Sequence, residues 1–527
     1  MRQAGILLPI FSLPGRYGIG TFGKEALKFV DLLAESGNRF WQLLPMGPTG
    51  FGDSPYQSFS AFAGNPYFID LETLISRGLL TEEELSAEDF GSEPEKVDYG
   101  KLYLAKDHAL RTAYRHFLEK DGEEKSEALL RGLRKETLDY CEFMAIKKAQ
   151  DGKNWTLWEK ELREREDSAM ERARRELLLE ISYQAFVQRI FEEQWRELKH
   201  YAGLRGIQMI GDIPIYCAMD SADVWARREL FQFSDGGDPE SVAGVPPDSF
   251  SATGQLWGNP LYRWEKHEES RFEWWLSRMD YCLSLYDVLR VDHFRGFEAY
   301  YSVPFGAKTA EQGEWLPGPG MALFDAMYRH FGKRELPIIA EDLGVITDEV
   351  RSLMKETGFP GMKVLQFAFG SDADNCYLPH NFETRNCICY TGTHDNDTLS
   401  HWFETLPDGV RGYIFQYCSR SEAERELMPE LLIKLAMSSI ADTVVIPAAD
   451  YLNLSGEARI NEPGTTGGNW VWRMPENSFS EEKKLSIARI LGTYGRYRQA
   501  GAKPEVKEEA KEDSEEEGLK NSADPQK

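Results

Sequence analysis

The fold of this chain is best approached from one stretch, Leu289-Arg290-Val291-Asp292-His293-Phe294-Arg295-Gly296. It begins with apolar residues that suit a strand in a covered parallel sheet, and it ends in a cluster of charge. Charged side chains are rare in a core unless they are paired or functional. The stretch is therefore either a strand with a functional site at its end or a strand closed by a structural ion pair, because structural ion pairs share this pattern.

Further apolar runs along the chain resemble this one and predict a total of eight strands. The runs are residues 6–9, 40–45, 207–215, 288–294, 337–343, 363–367, 387–391 and 443–447. Most segments between them have helical periodicity, and strands that alternate with helices favour a parallel sheet. Eight such units predict an α/β protein with a closed (β/α)8 TIM barrel and long inserted loops. An open doubly wound sheet is the alternative, but no dinucleotide-binding glycine pattern follows the first run.

The segment between the second and third runs has a different character. Over residues 81–205, charged residues alternate with apolar ones at helical spacing, which predicts a mostly helical insertion subdomain. The catalytic barrel then comprises residues 1–80 and 206–500. Residues 501–527 are rich in Glu, Lys, Asp and Ser and lack apolar periodicity, so we expect an acidic, disordered tail.

Composition and charge restrict the class of partner. The chain has 527 residues and a net charge of -26, and the acidic excess extends beyond the tail. We therefore expect neither nucleic acid nor a membrane as a partner. Aromatic residues make up 12% of the chain, which suffices for a large core and a binding cleft.

Cysteine usage and hydropathy predict the compartment. The seven cysteines include no Cys-x-x-Cys pair, which argues against a disulfide framework or a structural zinc site. No segment approaches the about 20 apolar residues of a membrane helix. We expect a cytoplasmic protein without a metal or another cofactor.

Polar side chains follow most of the predicted strands. Ordered from the third run to the eighth, they are Asp212, Arg290, Asp292, His293, Glu341, Asp342, His394, Asp395 and Asp450. In a (β/α)8 barrel the C-terminal ends of all strands meet at one mouth, where such enzymes build their active sites. Each carboxylate alone is compatible with a structural cap, but so many at one mouth favour a catalytic pocket.

A long loop precedes the fourth run. Residues 244–260 are too long and too rich in Gly and Pro for a simple connector, so we interpret them as a functional loop. Phe250 and Trp257 are candidate stacking platforms for a ligand, and the alternative is that they anchor the loop. Carboxylates, an arginine, histidines and aromatic rings around a mouth fit glycoside chemistry, in which two carboxyl groups flank the reacting bond.

These motifs closely resemble the 4-α-glucanotransferases of the amylomaltase (disproportionating enzyme) type. The resemblance rests on Gly52-Asp-Ser-Pro-Tyr-Gln57, Gly211-Asp-Ile-Pro-Ile215, Arg290 to Gly296, Ala340-Glu-Asp-Leu-Gly344, Thr391-Gly-Thr-His-Asp-Asn396, the 246–260 loop and the 457–473 block. The blocks cover nearly the whole chain apart from the insertion and the tail. The resemblance implies that Asp292 is the nucleophile, Glu341 the acid/base and Asp395 the transition-state stabiliser.

The resemblance also implies which residues bind substrate. They are Ser54, Tyr56, Asp212, Trp257, His394 and Asn461, to which the loop and the fourth run add Phe250, Arg290 and His293. Arg290 is expected to hold Asp292 in its charged form. Two positions depart from the usual family residues, Ser249 in place of Tyr and Ala449 in place of Gln.

The expected activity is the transfer of α-1,4-glucan segments from a donor maltooligosaccharide or starch chain to the 4-hydroxyl of an acceptor glucose or glucan. The resemblance implies a retaining double displacement through a covalent glycosyl-enzyme. Two alternatives remain open. An α-amylase-like hydrolase would use the same carboxylates with water as the acceptor. A glucan-binding protein without activity would keep the aromatic residues but lose a carboxylate, whereas all three are present here.

Overall fold

The structure is a computed structural model, and it describes residues 2–50, 52–122, 124–234, 236–247, 251–465 and 467–499. Eight parallel strands form the central sheet. They are β1 Gln3–Leu7, β2 Phe40–Gln42, β3 Gln208–Ile213, β4 Val288–Val291, β5 Ile338–Ala340, β6 Gly361–Val364, β7 Cys387–Tyr390 and β8 Thr443–Pro447. Each strand falls on or directly beside one of the eight apolar runs, so the predicted strands are confirmed.

The sheet is a nearly closed barrel. Its strand order is β6-β7-β8-β1-β2-β3-β4-β5. The seam between β5 and β6 is joined by the N–H of Ala340, which donates to the carbonyl of Pro360 at 3.0 Å. The N–H of Met362 also donates to Asp342 Oδ1 at 2.6 Å. The fold is therefore the predicted (β/α)8 barrel, and Asp342 fastens its seam instead of lining its mouth.

Helices cover the outside of the barrel. Outside residues 81–205 they are Lys24–Glu35, Leu71–Ser76, Ala222–Ala226, Trp264–Glu269, Glu273–Leu285, Met321–Phe331, Asp348–Thr357, Leu399–Thr405, Asp408–Tyr417, Met428–Ser438, Ala448–Leu452 and Glu481–Thr493. Local sequence sets their ends, as in Asp348–Thr357. There the Thr347 side chain caps the first turn and Gly358 ends the helix at a φ of 72°.

The segment predicted as an insertion is helical, as expected. Its helices are Glu82–Ser86, Tyr99–Asp121, Lys125–Leu130, Lys135–Ala149, Lys160–Arg163, Asp167–Glu176 and Leu178–Leu204. The last of these has 27 residues and reaches the barrel wall, where Trp195 Nε1 donates to the carbonyl of Leu285 at 3.1 Å. Because one helix contacts both parts, the division at residue 205 stays a prediction.

A second sheet, absent from the sequence interpretation, stands beside the C-terminal ends of β3 and β4. Its antiparallel strands, here called the mouth sheet, are in spatial order Gln255–Pro260, Ser241–Val245, Ala299–Pro304 and Glu314–Pro317. Residues 244–260 thus supply strand residues as well as loop. Their Gly and Pro content concealed the strands, which Val242 and Val303 stabilise through a small separate core.

The described residues carry no membrane-spanning helix, since none of their helices is both long and apolar enough. Within the same ranges no group of three or more His, Cys, Asp or Glu side chains could hold a metal ion. All seven cysteines lie in the described part, and each is free.

Close packing under β3 generates a stability prediction. A Cβ on Gly211 would meet the ring of Tyr286 at 2.2 Å, whereas one on Gly409 would meet no atom within 4 Å. We expect Gly211→Ala to lose about 1–3 kcal/mol of stability, because overpacking shifts its neighbours. Gly409→Ala, in the helix Asp408–Tyr417, should gain up to about 1 kcal/mol. Thermal unfolding at one scan rate compares the two, and equal melting temperatures would contradict this packing.

Candidate active site

Arg290 is the central cation of the barrel mouth. Its side chain is only 4% exposed, and Nη1 donates to both carboxylate oxygens of Asp212 on the adjacent strand at 2.8 Å. Nη2 lies 2.8 Å from Asp292 Oδ1. Burial alone would lower the pKa of Arg290, but Asp212 and Asp292 outweigh burial and raise it well above the ordinary value. A buried cation thus holds two carboxylates at the ends of neighbouring strands.

Tyr56 extends this network from Asp212 to His394. The Tyr56 hydroxyl donates to Asp212 Oδ2 at 2.8 Å and lies 2.9 Å from His394 Nε2. The Tyr56 hydroxyl has one proton, which it donates to Asp212. His394 Nε2 must therefore carry a proton and donate it to the Tyr56 oxygen. The two rings are stacked, with centroids 5.2 Å apart. Burial raises the pKa of Asp212, and Arg290 opposes the rise.

Asp395 and Asn461 complete the network on the far side. His394 Nε2 lies 3.3 Å from Asp395 Oδ1. Asn461 Nδ2 donates to the same oxygen at 2.7 Å, and the N–H of Asn461 donates to the carbonyl of His394 at 3.1 Å. The Asp395 side chain is 45% exposed, so it faces the open mouth. The structure therefore brings these three predicted residues together.

Glu341, at the end of β5, is a buried carboxyl held by two backbone N–H groups. Oε2 accepts from the N–H of His293 and Oε1 from the N–H of Leu343, both at 2.7 Å. Burial and the charge of Asp292 raise the pKa of Glu341 to about 8, although Arg290 and the two N–H groups oppose the rise. A carboxyl that keeps its proton at neutral pH can serve as a general acid.

His293 and Trp257 form the wall beside Glu341. His293 has a φ of 51°, which directs its N–H to Glu341. Burial lowers the pKa of His293 to about 4, so the ring is neutral at physiological pH. Among the described residues its buried Nε2 has no hydrogen-bond partner. Trp257, from the mouth sheet, meets this ring edge to face with centroids 4.9 Å apart.

Of the remaining predicted residues, the structure describes Ser54 but not Phe250. Ser54 turns the loop that carries Tyr56, because Ser54 Oγ accepts from the N–H of Tyr56 at 3.3 Å. Phe250, the other candidate stacking platform, and the neighbouring Ser249 lie outside the described residues.

Asp450 does not line the mouth, although it follows β8 as predicted. It is buried, its Oδ2 accepts from the Thr391 hydroxyl at 2.6 Å, and its Oδ1 accepts from the N–H of Leu399 at 2.8 Å. These bonds fasten both ends of the segment that carries His394 and Asp395. Asp450 is therefore a structural anchor.

Sequence reasoning missed Arg459. Its Nε donates to the carbonyl of Asn461 at 2.9 Å, and its Nη2 donates to the carbonyl of Asp395 at 3.3 Å. Arg459 thereby fixes the relative position of these two residues. Its place in the 457–473 block, two residues before Asn461, was the available signal.

The mouth of this parallel barrel holds two unlike carboxyl groups. Asp292 pairs with Arg290, and Glu341 has a raised pKa. This arrangement is typical of barrel enzymes that act through paired carboxyl groups. Comparison with known proteins specifies the family. A family model for 4-alpha-glucanotransferase matches residues 8–478. The chain belongs to the 4-alpha-glucanotransferase family and is an enzyme.

Individual relatives are similar over nearly their full length. The 4-alpha-glucanotransferase of Clostridium butyricum is 47% identical over 489 residues, which is 92% of this chain and 99% of that protein. The one from Thermus thermophilus is 47% identical over 488 residues, with 91% and 96% covered. The solved amylomaltase from Streptococcus agalactiae in complex with acarbose is 41% identical, with a TM-score of 0.90 and 94% and 100% of the chains covered.

The environment of Glu341 generates a titration prediction. Because the charge of Asp292 contributes to its raised pKa of about 8, Asp292→Asn should lower the pKa of Glu341. Asp395→Asn is the matched control, since Asp395 is not among the largest influences on the pKa of Glu341, and it should shift this pKa less. Carbon-13 NMR of labelled glutamate carboxyls, assigned with Glu341→Gln, measures both. A larger shift in Asp395→Asn would contradict the geometry.

Proposed function

We propose that this enzyme transfers α-1,4-glucan segments from a donor maltooligosaccharide or starch chain to the 4-hydroxyl of an acceptor glucose or glucan. The observation that carries the proposal is the pairing of two unlike carboxyl groups at one mouth. Asp292 pairs with Arg290 at 2.8 Å, while Glu341 is buried with a pKa raised to about 8. The amylomaltase complex with acarbose, from a similar protein, supports an α-glucan as the substrate.

The first step forms a covalent glycosyl-enzyme. A carboxylate oxygen of Asp292 attacks the anomeric carbon of the donor, and the bond from that carbon to the leaving oxygen breaks. Glu341 gives its proton to the leaving oxygen, which departs as the 4-hydroxyl of the released sugar. Arg290 keeps Asp292 oriented during the attack. Glu341 holds a proton below a pH of about 8, so it is ready as an acid at neutral pH.

The second step reverses the first with a new sugar. The ionised Glu341 takes the proton of the acceptor 4-hydroxyl, whose oxygen attacks the anomeric carbon and displaces Asp292. The anomeric configuration is inverted twice and therefore retained. Water in place of the acceptor would give hydrolysis by the same steps.

The other residues of the mouth bind and orient the sugar. Asp395, with His394 and Asn461 as its partners, presents an exposed carboxylate that accepts hydrogen bonds from sugar hydroxyls. These bonds strengthen as positive charge develops on the anomeric carbon and ring oxygen in the transition state. Tyr56 holds His394 by stacking. Trp257 offers an aromatic face to the apolar side of a sugar ring, and Ser54 supports the Tyr56 turn. Phe250 is a further proposed stacking residue for a sugar ring. The cytoplasmic location of the protein is a separate prediction.

The product pattern from maltotriose tests the activity. We expect glucose and a ladder of longer maltooligosaccharides, with few net new reducing ends, because each bond broken is replaced by a bond formed. Chromatography of the products together with a reducing-end assay measures both quantities. A rise of reducing ends in step with substrate loss would favour the hydrolase, and unchanged maltotriose would favour a binding protein.

Substitution of the two carboxyl groups tests their roles. Glu341→Gln should slow the reaction of maltotriose by about 100-fold or more, because the leaving oxygen departs without a proton. With α-glucosyl fluoride, whose leaving group needs no proton, the same variant should still load Asp292. Asp292→Asn should abolish both reactions.

Mass spectrometry of the Glu341→Gln adduct identifies the nucleophile. An adduct on a residue other than Asp292, or transfer activity in Asp292→Asn, would overturn the assignment.

A further inference from the structure

Arg295 is a second buried arginine near the mouth, and the proposed reaction does not use it. It lies in the short helical turn Phe294–Phe297 after Asp292 and is 7% exposed. Within the described ranges no carboxylate lies at ion-pair distance from it, and its buried Nε has no partner. The charge of Glu298 acts on Arg295 from beyond ion-pair distance, but burial outweighs it and lowers the pKa of Arg295. A buried cation without an ion pair is unfavourable. Packing alone therefore does not explain why an arginine occupies this position.

The guanidinium of Arg295 joins two parts of the mouth. Its Nη1 donates to the carbonyl of Val345, in the turn that follows Glu341. Its Cζ lies 3.6 Å from the ring centroid of Trp315, which belongs to the mouth sheet. Trp315 is itself held against Tyr301, with ring centroids 5.1 Å apart. A planar guanidinium can donate and stack at once, which a lysine cannot reproduce.

The contact with Val345 matters because few hydrogen bonds hold the turn. Gly344 has a φ of 89°, and Val345 is 62% exposed. Across the described part of the chain, no other hydrogen bond joins residues 344–346 to the rest of the protein. The same turn begins with Leu343, whose N–H donates to Glu341 Oε1 at 2.7 Å. Arg295 therefore anchors the segment that supplies one of the two N–H groups on Glu341.

We propose that Arg295, braced by Trp315, is a positioning residue that holds the Leu343 N–H on Glu341 and so keeps the acid/base aimed at the glycosidic oxygen. The inference rests on the proposed function of Glu341. The other support of Glu341, the N–H of His293, comes from the residue directly before the turn that contains Arg295. Both supports of the carboxyl thus depend on one short segment after β4.

The test compares two donors in Arg295→Met. With maltotriose, which needs a proton on its leaving oxygen, kcat should fall about 10- to 100-fold while KM stays nearly unchanged, because a misplaced acid slows chemistry more than binding. With α-glucosyl fluoride, the burst of fluoride that accompanies loading of Asp292 should keep its rate. Arg295→Lys should retain more activity than Arg295→Met. Arg329→Met, on the outer helix Met321–Phe331, is the matched control and should leave the rate with each donor unchanged.

A double variant isolates the route of the effect. If Arg295 acts through Glu341, adding Arg295→Met to Glu341→Gln should cost little further maltotriose activity. Equal losses with both donors, an unchanged kcat, or multiplied losses in the double variant would each overturn the proposal. If Arg295→Met does not fold, Trp315→Leu should show a smaller loss with the same dependence on the donor. Full maltotriose activity in Glu341→Gln would instead refute the role of Glu341, whatever Arg295 does.

Discussion

The buried Arg290, held between Asp212 and Asp292, is the constraint on which the active site depends. Its charge is acceptable inside the barrel only because carboxylates at the ends of two neighbouring strands lie 2.8 Å away. In return the arginine fixes Asp292 at the end of β4 and Asp212 beneath Tyr56. From Asp212, hydrogen bonds and ion-pair contacts lead through Tyr56 and His394 to Asp395. Loss of the cation would leave the buried Asp212 without its ion pair and the proposed nucleophile, Asp292, without the group that orients it.

Most of the barrel could be predicted from the sequence, because each parallel strand is buried on both faces and appears as a short apolar run. The mouth sheet could not, since two of its strands, Gln255–Pro260 and Glu314–Pro317, are partly exposed and do not appear as apolar runs. The convergence of polar residues at the mouth could be predicted, because these residues follow the strands. The role of each carboxylate at the mouth could not be predicted. Asp342 and Asp450 have the same pattern as Glu341, yet they fasten the β5–β6 seam and the segment after β7.

The difference among these acids arises from their three-dimensional surroundings. Glu341 is buried beside Asp292, and that proximity depends on how β4 and β5 pair across the sheet. The same applies to Arg459 and Arg295, whose hydrogen-bond partners are backbone carbonyls. A carbonyl leaves no trace in the residue types of a sequence, so the motifs could mark the positions of these arginines but could not show what they bind. The assignments of Asp292, Glu341 and Asp395 came from the family motifs, and the geometry brings them to one mouth.

Because of the seam between β5 and β6, the two carboxyl groups proposed to react follow strands with unequal numbers of backbone hydrogen bonds. Asp292 follows a strand that is hydrogen-bonded to a neighbour on each side, whereas Glu341 follows a strand with a full ladder on one side only. Local opening of a folded protein is easiest where a segment has few contacts with its neighbours. The proposed nucleophile, Asp292, therefore follows the strand with more hydrogen-bonded neighbours. The proposed acid/base follows the strand with fewer, so Glu341 depends more on bonds from outside the ladder, such as those from the N–H groups of His293 and Leu343.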